Sequence, residues 1–142
     1  MRKLDQRGVA ALEFCIIAVP LFFLMFAVFD LGRYAITRQS LHALANVGAR
    51  KMMVNCYTKK VIKNESPSGC TDINTYFPDS EKQAIAPFLY GADLTPNYGL
   101  TLNTAAGTGA LTVTASQPGF TMIMPVWSTA LNAPSASTSV PF

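Results

Sequence analysis

An α+β fold follows from three features of the chain. These are a long apolar run at residues 9–29, an amphipathic segment behind it at 30–54, and alternating apolar and polar residues after Leu94. The first two predict one long N-terminal helix, transmembrane in its first half and amphipathic in its second. The third predicts a small C-terminal antiparallel β domain covering the outer part of that helix. The chain therefore divides into a cytoplasmic leader (1–8), a transmembrane helix (9–29), its amphipathic continuation (30–54), an outer α+β domain (55–131) and a flexible tail (132–142).

The apolar run reads VAALEFCIIAVPLFFLMFAVF, with one charge, Glu13, and one helix breaker, Pro20. A helix of ~20 residues at a rise of ~1.5 Å per residue crosses the ~30 Å hydrocarbon core of a bilayer. Residues 15–29 are apolar on every face, whereas a buried helix of a small soluble domain keeps a polar side. Arg2, Lys3 and Arg7 precede the run against the single acid Asp5, and the first charge after it is Asp30. The positive-inside rule then keeps the N-terminus in the cytoplasm and places residues 30–142 outside the inner membrane. A cleaved secretory signal fits less well, since its apolar core spans about 7–15 residues and a small-x-small site should follow closely. Ala43-Leu44-Ala45 lies too far downstream. The stretch LEFC at 12–15 has the Leu and Cys of a lipoprotein signal, but Phe14 is bulky and the apolar core follows the Cys.

Composition narrows the function classes. Half of the 142 residues are apolar and 13% are charged, with a net charge of +3. Ten of the eleven Lys and Arg precede residue 64 without forming a basic face, which argues against a nucleic-acid partner. From Gln83 onward Asp93 is the only charged side chain, a composition suited to a covered surface. There is no G-x-S-x-G, paired metal motif or phosphate loop, so neither an enzyme nor a cofactor, metal or small-molecule substrate is expected. His42 has no carboxylate within a helical turn and reads as a polar helix-surface residue. Cys56 and Cys70 lie 14 positions apart. They are either two free thiols or a disulfide; an oxidising compartment favours the bond, which closes a loop worth roughly 3 kcal/mol. Cys15 reads as a small apolar packing residue.

Glu13 is the anomaly. A carboxylate costs about 2.5–3.5 kcal/mol at the centre of a membrane helix and less near the interface. Five residues into the run, it sits about 6 Å below the membrane surface. It either reaches up to the headgroups or awaits a positive partner.

Residues 7–14, RGVAALEF, resemble the processing site of the type IV pilin superfamily. In that superfamily a membrane-embedded prepilin peptidase cuts after a Gly that ends a short basic leader, and a Glu then falls fifth in the mature chain, followed by an aromatic. A cut between Gly8 and Val9 makes Glu13 the fifth residue and Phe14 the sixth. The nearer resemblance is to TadE-like (TadE/TadG-type) pseudopilins of the tight-adherence (Tad/Flp) pilus system. Their apolar run contains a Pro and closes near an acid and Leu-Gly-Arg, as Asp30-Leu31-Gly32-Arg33 does here. It covers about residues 2–50 and implies a minor pilin or pseudopilin taking part in pilus assembly. The partners it implies are membrane lipid, the prepilin peptidase, other pilin or pseudopilin subunits and the Tad assembly machinery. In such a filament Glu13 pairs with the Val9 ammonium of a neighbouring subunit. The competing reading is an uncleaved single-pass anchor whose outer domain scaffolds envelope or secretion components.

Beyond the run, Leu31, Tyr34, Ala35, Leu41, Ala45, Ala49 and Met52 recur at spacings of three, four and seven, with Arg33, Thr37, Ser40, Asn46 and Arg50 opposite. Gly32 and Gly48 weaken the helix but permit close backbone approach. One helix of about 45 residues is expected, with Pro20 free to bend it. Lys59, Lys60 and Lys63 read as a solvated loop face, and residues 79–89 as a short helix interrupted by Pro87. Strands are expected at 98–102 and 110–115, joined by a turn at 103–109, with a third at 120–126 that Pro125 restricts to an edge. The Ala, Ser, Thr and Pro-rich end reads as poorly ordered.

Overall fold

The structure is a computed structural model and describes residues 6–91, 95–107 and 109–141. Most of the expected leader (residues 1–5), Asp93 and the final Phe142 lie outside the described residues. Helix α1 runs over Gln6–Met52 without interruption at Pro20. A single π-helical turn, Met53–Tyr57, follows, and helix α2, Thr58–Ile62, continues the path. Lys59 and Lys60 thus lie on α2, not in a loop: the π turn lets the chain stay helical past residue 54.

The C-terminal half of α1 packs against an antiparallel three-stranded sheet. Strand β1 is Thr101–Ala106, β2 is Ala110–Ser116 and β3 is Ser135–Pro141, with β2 in the centre. Leu111, Val113 and Ala115 of β2 point into the core with Leu102 and Ala136 from the edges. They meet Leu41, Leu44, Ala45, Ala49 and Met52 of α1. The side chain of Thr138 donates to Asn46 Oδ1 at 2.6 Å, tying β3 to the helix. Gly48 lies where a Cβ would come within 2.8 Å of Ile73 Cδ1 and 3.4 Å of Val113 Cγ1, so close approach is required there. A Cβ at Gly32 would meet nothing within 4 Å among the described residues, so no close approach within them is required there.

Three expectations for the chain after residue 97 are corrected. The tail is not loose: Ser135–Pro141 pairs along β2 from Ser116↔Ser135 to Ala110↔Pro141. The backbone ladder and the buried Ala136 hold it, although the segment carries little apolar surface. Residues 120–126 are not a strand; Pro125 starts a short 3-10 turn over Pro125–Trp127. The first strand begins later than expected, because Tyr98 and Gly99 take positive φ values of 53° and 67°. Along α1, Thr37 is fully buried rather than on the polar side, while Leu31 and Ala35 remain exposed.

The short helix α3, Asp79–Ile85, and the 3-10 turn Pro87–Leu89 fall where the interruption at Pro87 placed them. Lys82, 4% exposed, donates to Asn74 Oδ1 at 2.7 Å and Asp79 Oδ1 at 2.8 Å. Burial, with the Asp79 carboxylate beside it, pushes the Tyr90 phenol well above its usual range. Lys51 pairs with Glu81, fixing α3 to α1.

Candidate functional site

The first half of α1 packs on nothing among the described residues. Phe14, Ile16, Ile17, Val19, Leu21 and Leu24 are each more than 60% exposed. A large aliphatic or aromatic side chain gains about 1.5–3 kcal/mol on leaving water. A helix bearing many of them openly is therefore built for an apolar medium or for other helices. It is long and apolar enough to cross a membrane, with a mean hydropathy of 2.5 over its most apolar window, none of which is buried.

Gly8 and Val9 fall within the first turns of α1, and Val9 is 55% exposed. Glu13 is exposed and has no ion-pair partner among the described residues. Phe14 projects beside it at 69% exposure. Their i, i+1 relation sends the two side chains in different directions around the helix, about 100° apart. Cys15 is a free, exposed thiol, so packing within this chain does not explain it. His42 is exposed on the helix surface.

Cys56 and Cys70 are joined by a disulfide, with their Cα atoms 5.9 Å apart and both residues buried. The π turn brings Cys56 to the loop that ends at Cys70. The bond fastens the end of the long helix to the chain that leads into α3.

Where the exposed half of α1 meets the packed half lies a feature whose partners sequence reading did not supply. Asp30 is 2% exposed, although it is the first charge after 21 residues of nearly uncharged helix. Its carboxylate accepts from the Ile123 amide at 3.0 and 3.2 Å and from the Met124 amide at 3.0 Å. Arg33, one turn on, lies 3.7 Å from the same carboxylate. The Arg33 guanidinium sits 5.1 Å over the ring of Phe120, which also meets Tyr34 at 6.5 Å and Tyr98 edge-on at 5.9 Å. Residues of the Asp-Leu-Gly-Arg run thus clamp the loop between β2 and β3 to the helix. The charge at position 30 was visible in the sequence; its partners, more than 90 positions away, carried no local signal.

No curated protein and no solved structure matches the chain. The family model of TadE-like proteins matches residues 8–50, from Gly8 through Glu13, the exposed apolar helix and the Asp30–Arg33 clamp. Over that N-terminal stretch, the chain is similar to TadE-like proteins.

Proposed function

We propose that this protein is a single-pass inner-membrane pseudopilin of the tight-adherence pilus machinery. In this reading its N-terminus is cytoplasmic, its helix–sheet body is periplasmic, and a prepilin peptidase cuts between Gly8 and Val9. Its work is assembly rather than catalysis, with other pilin or pseudopilin subunits as partners. The observation that carries the reading is the exposed apolar half of α1 with Glu13 unpartnered among the described residues. A carboxylate in that setting lacks a counter-charge, and the Val9 ammonium released by cleavage on a neighbour provides one. Two charges poorly solvated by lipid attract far more strongly than in water, which favours a fixed axial register between subunits.

Glu13→Leu tests this. If Glu13 merely reached the headgroups, Leu would be harmless and would ease insertion. If Glu13 pairs across subunits, the variant inserts and is cleaved but leaves a neighbour's ammonium unpaired. Breaking a buried pair costs about 3–5 kcal/mol, so incorporation into pili should fall by more than about tenfold. Immunoblotting sheared pili against membrane fractions reads the two quantities separately. Normal incorporation of Glu13→Leu would end the pairing mechanism.

A further inference from the structure

The loop held by Asp30 has a second property. Ile123 is 74% exposed and Val126 57%, while Met122, Met124 and Trp127 are each partly exposed. No charged residue occurs anywhere from position 94 to 142. Exposed apolar side chains without interspersed charge mark an interaction surface. The location of this one is fixed: the amides of Ile123 and Met124 are bonded to the carboxylate of Asp30. Asp30 directly follows Phe29, the last residue of the apolar run, which is itself 66% exposed. The apolar loop therefore lies at the level where α1 leaves its apolar surroundings.

We propose that residues 122–127 form a second membrane contact, an apolar loop seated in the headgroup and upper acyl region of the periplasmic leaflet beside the exit of α1. The inference rests on the reading of residues 9–29 as a membrane span. The occupant is lipid because the exposed apolar loop is continuous with the exposed apolar helix at Phe29. Tryptophan and aliphatic side chains are favoured at this depth; the Trp127 Nε1 atom itself is buried without a hydrogen-bond partner among the described residues, so only the partly exposed remainder of its ring is offered to lipid. The clamp also explains how an acid is tolerated there. Asp30 is covered by the loop and satisfied by its amides, so its charge does not face the lipid. Anchoring the loop and the helix together would restrict the tilt of the helix–sheet body relative to the membrane.

The chain has its own probes, since Trp127 is the single tryptophan and Cys15 the single free thiol. The full-length protein is reconstituted in phosphatidylcholine vesicles whose acyl chains are brominated at a shallow or a deep carbon. Trp127 emission is read on unlabelled protein, and an environment-sensitive fluorophore on Cys15 is read on a separate preparation. The proposal expects Trp127 to lose more emission to shallow bromine than to deep bromine, while the Cys15 label is quenched as well. Ile123→Ser combined with Val126→Ser should reduce Trp127 quenching and leave the Cys15 signal unchanged. Quenching at Cys15 with none at Trp127 would overturn the loop contact while leaving the span intact. Quenching at neither position would overturn both. Trp127 unquenched by bromine at every protein density, with its emission shifting to the blue only as density rises, would make the loop a contact between copies and likewise overturn the lipid assignment.

Discussion

Asp30 and Gly48 each place an unusual demand on one position of α1. The Asp30 carboxylate is almost fully buried, and the amides of Ile123 and Met124 together with Arg33 make that burial tolerable. Asp30→Ala removes the acceptor and strands two amides beside the helix. An unsatisfied buried polar group costs about 1–3 kcal/mol, so the loop should open locally before the rest of the molecule unfolds. Hydrogen exchange at the Ile123 and Met124 amides should accelerate in the variant far more than at Val113, and equal acceleration at both places would contradict a local clamp. Gly48 makes the opposite demand, for absence of a side chain. In Gly48→Val the new Cβ would press on Ile73 Cδ1, and overpacking of this kind destabilises by about 1–3 kcal/mol. A lowered midpoint in denaturant titration of the detergent-solubilised protein checks it. The glycine's capacity for close approach was legible from its place on an amphipathic face. That Gly48 uses it and Gly32 does not depends on the sheet, which only the fold supplies.

The elements divide in how openly the sequence announced them. Helix α1 was plain because its apolar surface is dense and periodic, and because little in it beyond Pro20, Gly32 and Gly48 opposes a helix. The sheet was harder, since β1 and β3 are made of small and hydroxyl-bearing residues whose local preference is for turns and disorder. Strand β3 forms because β2 offers it a full antiparallel ladder and a place for Ala136, a tertiary gain invisible in a tail of Ser, Ala and Thr. The apolar residues 120–126 misled in the other direction: their hydrophobicity serves an exposed loop and Phe120 beneath it, not a strand. The extension of the helix through a π turn to Ile62 had no readable signature, yet it brings Cys56 to Cys70. Replacing both cysteines by Ser should destabilise the helix–sheet body by roughly 3 kcal/mol if loop closure dominates. Thermal unfolding followed by circular dichroism at 222 nm should show a lower midpoint with the native fold retained below it. An unchanged midpoint would mean that the bond adds nothing to the packing already there.

At the scale of the whole molecule, one continuous helix joins two unlike environments. Its C-terminal half is the spine of a packed helix–sheet body, and its N-terminal half presents large apolar side chains with no cover among the described residues. The match to TadE-like proteins covers residues 8–50 and so spans both halves. This arrangement suits a subunit that is stored in a membrane and then packed helix to helix in an assembly. Processing between Gly8 and Val9 is what the proposed assembly requires, because only that cut would create the ammonium proposed to pair with Glu13. Intact-mass and N-terminal peptide analysis of protein recovered from its native membrane measures this directly. The account predicts a mature chain beginning at Val9, and a Gly8→Val variant that inserts but keeps its leader. A native protein that retains residues 1–8, or one trimmed instead near Ala45, would contradict it.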